Sequence, residues 1–129
     1  MAGSILTDTK KALGLAEDYT AFDPEITMHI NSVLATLHQL GIGPETGYAI
    51  ANSSDTWDEL IADEKRLNSV QSYLYLRVKM LFDPPSVGYV LTAMEGMIEE
   101  AEWRITVAQD EIVRPPAPPV VVGPTDPFE

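Results

Sequence analysis

The chain has 129 residues, and 20 acidic against 8 basic side chains leave a formal net charge of −12. Hydrophobic residues make up 45%, enough for one packed core, while the acidity argues against a duplex-DNA binder working through a basic face. There is no cysteine, which excludes disulfides, thiolate zinc sites and cysteine nucleophiles.

Residues 1–13 lack the apolar run of a signal peptide, because Asp8, Lys10 and Lys11 interrupt it. No glycine follows Met1, as myristoylation requires. Ser4–Leu13 reads as a short amphipathic helix, with Ile5, Leu6, Thr9 and Leu13 on one stripe and Gly14 as its stop. Leu15–Phe22 is a connector whose Tyr19 and Phe22 are expected to fold back onto the core. Asp23 then reads as the N-cap of a second helix, with Pro24 at its first position and Glu25 near the positive end of the dipole. Ile26, Ile30, Val33, Leu34, Leu37 and Leu40 form its apolar face, Gly41 stops it, and Gly43-Pro44 prevents a restart. The uncharged stretch from Ile26 to Pro44 is long enough to raise the question of a membrane span. His29, Asn31, Ser32, His38 and Gln39 answer it: the segment is amphipathic and reads as soluble.

Glu45–Ser53 has no helical period, and Tyr48-Ala49-Ile50-Ala51 is either a short strand or an extended loop. Thr56 and Glu59 match a capping box that opens a short helix to Ile61. The fourth helix is expected from Glu64 to Phe82, with Leu67, Val70, Leu74, Val78 and Leu81 on one stripe. Tyr73, Leu76 and Met80 widen that stripe, so two sides of this helix should be buried. Asp83-Pro84-Pro85 ends it, since proline removes a donor and forbids helical geometry in the residue before it. Ser86 reads as the cap of a last helix over 87–109, roughly 35 Å long. Val87, Leu91, Met94, Ile98, Ala101, Ile105 and Ala108 alternate steps of 4 and 3, a heptad-like seam. From Arg114 the character changes to Pro115-Pro116-Ala117-Pro118-Pro119-Val120-Val121-Val122, which cannot join a helical core.

The expected architecture is therefore all-α. A small bundle of about four to five helices occupies residues 1–112, with a long C-terminal helix and a loop or hairpin excursion near 45–55. An extended proline-rich tail occupies 113–129. The helices at 24–40, 64–82 and 87–109 should form the core, burying Leu34, Leu37, Leu74, Val78, Leu91 and Ile98.

The residues offer little chemistry. His29 and His38 lie nine apart on one helix and cannot share a metal. Glu25 and His29 form an i,i+4 pair with no third ligand. Glu95, Glu99 and Glu102 share a face, but the Glu-x-x-His of di-metal bundles is missing, so they read as a solvated run. Gly41-Ile42-Gly43 follows a helix and is a stop, not a phosphate loop. No nucleophile elbow surrounds any serine. Trp103 sits off the heptad seam among glutamates, either lying on a neighbouring element or anchoring another subunit. No catalytic, cofactor-binding or metal residue is nominated, and an interaction or structural protein is favoured over an enzyme.

Several segments together resemble one family: Ser4-Ile5-Leu6-Thr7-Asp8-Thr9-Lys10-Lys11-Ala12-Leu13-Gly14, Asp18-Tyr19-Thr20-Ala21-Phe22-Asp23, Ile30-Asn31-Ser32, Gln39-Leu40-Gly41-Ile42-Gly43-Pro44, Thr56-Trp57, Tyr73-Leu74-Tyr75-Leu76-Arg77-Val78-Lys79, Leu81-Phe82-Asp83-Pro84-Pro85 and Glu102-Trp103-Arg104-Ile105. Over residues 4–108 the chain is similar to the head-tail connector (adaptor) proteins of tailed bacteriophages. The resemblance implies a helical subunit of a ring, commonly dodecameric, beneath the portal protein. Such a ring extends the DNA channel, lets genomic DNA pass without specific binding, and docks the stopper or tail-completion protein. It implies no catalysis, no cofactor and no membrane, and a place at the head-tail junction of the virion after assembly in the host cytoplasm. In that role Trp103, Pro118, Pro119, Val120, Val121 and Val122 are candidates for subunit or portal contacts. The three valines would pair as a strand with a neighbouring subunit or the portal. Glu95, Glu99 and Glu102 are candidates for the channel lining. The alternative is an acidic helical protein or DNA mimic that regulates a DNA-binding partner; the scatter of acids from Asp8 to Glu129 counts against it.

Overall fold

The computed structural model describes residues 3–113. Among them are five helices, α1 (Ile5–Ala12), α2 (Asp23–Gln39), α3 (Trp57–Leu60), α4 (Glu64–Phe82) and α5 (Gly88–Val113), and no strand. The expected all-α bundle is what forms. The proline-rich segment from 114 lies outside the described residues.

α4 is the centre of the bundle and packs against α1, α2 and α5. Its stripe explains why: Val70, Tyr73, Leu74 and Val78 are all fully buried. Ile26, Ile30, Val33, Leu34 and Leu37 of α2 meet them from one side. Each such side chain contributes about 1.5–3 kcal/mol on leaving water. The two helices run antiparallel, since Phe22 at the start of α2 stacks edge-on against Phe82 at the end of α4, centroids 5.2 Å apart.

α1 is capped by Ser4, whose Oγ accepts from the Thr7 amide at 3.1 Å. The cap expected for α2 does not form. Phe22 occupies the cap position, and the Asp23 carboxylate turns instead to the buried Lys10, Oδ1 to Nζ 2.9 Å. A buried ammonium needs a counter-charge, and Lys10 also donates to the Glu17 carbonyl at 2.9 Å, which fastens the connector. Tyr19 and Phe22 fold back only in part: they remain 46% and 39% exposed, stacked on each other and on Phe82.

The segment 41–56 is an irregular loop, without strand or hairpin. Gly41 and Gly43 turn it with φ of 92° and 101°, which a side chain would strain. One side chain then holds it: Asn31 of α2 donates from Nδ2 to the Ile50 carbonyl (3.1 Å) and accepts the Ile50 amide at Oδ1 (2.7 Å). The capping box at Thr56 and Glu59 is present. It delivers Trp57, fully buried, with its backbone amide on the Gly3 carbonyl (3.2 Å) and its Nε1 on Asp8 Oδ2 (2.8 Å). A single antiparallel bridge, Ser4 to Thr56, completes this strap.

Candidate assembly surface

α5 packs mainly on α4, with Ile42 of the loop after α2 lining one pocket beside Ile105. Its seam faces α4, with Ile105 buried and Leu91, Met94, Ile98, Ala101 and Ala108 only partly covered. Leu91 and Ile98 are thus half-buried where full burial was expected, because no third helix closes over them. Leu81, on the expected α4 stripe, is 45% exposed for the same reason. The helix starts later than a Ser86 cap would place it, since its first hydrogen bonds run from the Val90 and Leu91 amides to the Val87 carbonyl.

The register of the two helices leaves an overhang. Met80 and Leu81 at the end of α4 line one groove with Glu95, Ile98 and Glu99 of α5. Residues 88–94 therefore rise past α4 by roughly 10 Å. Val87, Tyr89 and Val90 on this overhang are 46%, 79% and 36% exposed.

A second seam runs along the outer side of α5. Tyr89, Ala93, Gly96, Glu100, Trp103 and Val107 step by 4, 3, 4, 3 and 4, a heptad spacing that puts them on one face opposite Ile98. Met97 flanks it at 53% exposure, and Trp103 stands out at 65%. Its only charged member, Glu100, is paired with Arg104 at 2.6 Å. Among the described residues, and apart from its own helical turn, a Cβ on Gly96 would meet no atom within 4 Å. Glycine in a helix interior costs about 1 kcal/mol relative to alanine. The isolated subunit thus carries an apolar helix face with small residues between two aromatic rings.

The inner side of the α4–α5 groove is polar. Tyr73 donates to Glu102 Oε2 (2.8 Å) and accepts from Arg77 Nη1 (2.7 Å), and the Arg77 guanidinium lies 5.5 Å from the Tyr73 ring centroid. Burial, then the bond to Glu102, pushes the Tyr73 phenol up to about 12. Glu102 is thereby tied to α4, whereas Glu95 and Glu99 are exposed along the mouth of the groove, which encloses about 500 Å³. Pro118, Pro119, Val120, Val121 and Val122 lie outside the described residues.

Of the residues nominated from sequence, the structure brings Glu95, Glu99 and Glu102 to one groove and leaves Trp103, one turn beyond Glu99 on the adjoining face of α5, outside it and 65% exposed. Sequence reasoning read Tyr89 as a core or interface aromatic and missed Val90, Ala93, Gly96 and Met97 as a surface. The signal for Ala93 and Gly96 was available in the 4–3 alternation counted from Tyr89 instead of Val87; Val90 and Met97 flank it. Glu25 and His29 form the expected pair, 3.4 Å apart. Among the described residues no group of three His, Asp or Glu side chains could hold a metal, and no helix is long and apolar enough to cross a membrane.

A family model described as phage connector protein matches residues 5–112. No curated protein and no solved structure gives a significant match.

Proposed function

The chain belongs to the phage connector proteins, whose role is structural, and from that premise we propose that it is a head-tail connector subunit that closes into a ring, commonly a dodecamer, beneath the portal. The single observation that carries this reading is the outer seam of α5, an apolar heptad face left uncovered in the subunit. A ring needs a heterologous contact between unlike faces of neighbours. The seam supplies one such face, with Trp103 as its anchor. Glu95 and Glu99, with Glu102 behind them, then line a negative channel that repels the phosphates of passing DNA. In the assembled particle Pro118 and Pro119 act as a spacer, and Val120–Val122 add as a strand to a neighbour or the portal. The opposite rim docks the stopper or tail-completion protein. Assembly takes place in the host cytoplasm and ends at the head-tail junction of the virion.

The test is mass photometry of the protein alone and with purified portal. Wild type should form ring-sized complexes on the portal, and Trp103→Ala and Gly96→Leu should need higher concentrations to do so. If Trp103→Ala assembles at the wild-type concentration, the contact lies elsewhere. A stable monomer that ignores the portal and binds a repressor or nuclease would instead support the DNA-mimic reading.

A further inference from the structure

A contact between unlike faces needs a second face, and charge narrows where it lies. In a protein of net charge −12, copies repel one another wherever carboxylates meet carboxylates. The outer seam of α5 avoids this, since its Glu100 is paired with Arg104. So does α2 with the loop after it. From Ile26 to Ser54 the sequence carries one acid, Glu45, and no lysine or arginine, in a chain where 22% of residues are charged. Met28 stands out from α2 at 61% exposure, with Ser32, Ala35 and Gln39 exposed beside it. Next to them lies a groove of about 500 Å³, lined by Leu34, Ala35, Tyr48 and Ala49, with His38 and Gln39 among its polar members. The groove is built into the subunit, because Asn31 pins Ile50 to α2 and the Tyr48 hydroxyl donates to Glu59 at 2.8 Å.

The two faces also agree in spacing. Gly96 and Trp103 lie seven residues apart on α5, and Met28 and Ala35 lie seven apart on α2, in each case about 10 Å along the axis. Both helices run antiparallel to α4: α2 by the Phe22–Phe82 stack, α5 by the bond from Tyr73 to Glu102 and the groove that joins Leu81 to Glu95. They are therefore parallel to each other. In a ring of many subunits each copy is turned through a small angle from the next, so α5 of one copy still runs parallel to α2 of its neighbour. In that register Met28 drops into the hollow at Gly96, and the Trp103 indole enters the groove beside Ala35, where His38 or Gln39 can accept its N–H. The angle suits closure. On α4, Tyr73 and Arg77 face α5 while Leu74 and Val78 face α2; at 3.6 residues per turn these sides are about 100° apart. The outer faces of α5 and α2 are thus not back to back, and repeating the contact curves the row of subunits toward the side between them. The groove of Leu81, Glu95 and Glu99 opens on that side.

We propose that the outer seam of α5 docks on the α2–loop face of a second copy of this chain, with Met28 of that copy over Gly96 and Trp103 in its groove beside Ala35 and Tyr48. This rests on the reading of the seam as the assembly surface and names its partner. Each subunit offers one face and receives the other, so the contact is head-to-tail, and Glu95 and Glu99 look into the space that the ring encloses.

A chain without cysteine lets the contact be read by cross-linking. Met28→Cys and Gly96→Cys, both at exposed positions, are made separately in the full-length chain, mixed, assembled on purified portal and treated with a short bismaleimide. The expected result is a product joining positions 28 and 96 in the mixture, none from either variant alone, and from the double variant a ladder that runs past the dimer. A homodimer of Gly96→Cys overturns the proposal, since it lays seam on seam. So does the absence of the mixed product in complexes that have assembled. Ala35→Glu tests the same face without cysteine. It is exposed on α2, should leave the thermal melt unchanged, and should raise the concentration needed for assembly on the order of tenfold or more, because it buries an unpaired carboxylate; assembly at the wild-type concentration overturns the proposal. Failure of the function is read separately. If Trp103→Ala weakens assembly and no mixed product appears, the seam keeps its role and the α2 face falls. If Trp103→Ala assembles as wild type while the mixed product forms, the pairing of faces stands and the anchoring role of Trp103 falls.

Discussion

Replacing Trp57 by Phe should be among the most costly single changes in the molecule, and the cost can be assigned. The indole is fully buried and its Nε1 donates to Asp8 Oδ2 at 2.8 Å, linking α3 to α1. Its ring also packs edge-on against Tyr75, centroids 6.0 Å apart. Phenylalanine keeps most of the ring contact but removes the donor and leaves the carboxylate without it. A hydrogen bond to a charged group is worth about 1.5–3 kcal/mol, and the space vacated by the smaller ring adds about 1 kcal/mol. The total of about 2.5–4 kcal/mol is a large part of a domain stability of about 5–15 kcal/mol. With a urea m-value of about 1.5 kcal/mol/M, the unfolding midpoint should fall by about 2 M. The assay is urea unfolding followed by far-UV circular dichroism on wild type, Trp57→Phe, Asp8→Ala and the double variant. The double-mutant cycle should return a coupling of about 1.5–3 kcal/mol. A coupling below about 0.5 kcal/mol would refute the claim that this bond anchors the strap, whatever the single variants cost.

Two further outcomes are expected. Leu74, fully buried at the centre of α4, should cost about 2–5 kcal/mol on truncation to alanine; an unchanged melting temperature would contradict the packing of α4. Alkaline titration should expose the α4 tyrosines. Burial, then Glu102, raises Tyr73 to about 12, and burial, then Asp8, raises Tyr75 to about 12. Both exceed the ordinary tyrosine value of about 10. A raised native pKa means that the folded state holds the proton more tightly. Their contribution is therefore intact below about pH 10 and lost as the pH climbs toward about 12. Urea midpoints across that interval should fall less steeply for Tyr73→Phe than for wild type; identical slopes would mean the phenol is not protected.

The bounds of α2 and α4 were legible because each is written twice, in an apolar stripe and in a hard stop: Gly41 for one, Pro84-Pro85 for the other. What escaped were contacts between residues far apart in the chain. Asp23 looks like a cap from its neighbours, Pro24 and Glu25, and nothing local reveals that Lys10 will claim it. Trp57 sits in a polar stretch with no apolar period around it, yet it becomes a core residue because the capping box turns it inward against α1 and Tyr75. On α5 the seam from Val87 is real but meets mainly α4, so its residues are less buried than a heptad implies. The same helix bears a second alternation of equal regularity. A sequence with two such faces cannot say by itself which one the subunit covers and which it leaves for an assembly.

The Asn31 contact has a consequence for how the 41–56 loop can vary. In a sheet, a hydrogen-bonded pair trades one amide and one carbonyl in each direction between two backbones. Here a side-chain carboxamide takes the part of one backbone and fixes the position of Ile50 with bonds of 3.1 and 2.7 Å. Ile50, buried at 4% exposure, is thus positioned from α2 and not by counting residues along the loop. The stretches on either side, 44–49 and 51–54, are largely exposed, so extra residues there would be accommodated outward. Doubling the length of such a loop costs only about 0.6 kcal/mol of closure entropy. Insertions on either side of Ile50 should therefore be tolerated, while the one-methylene change Asn31→Gln, which adds no residue to the loop, should displace it.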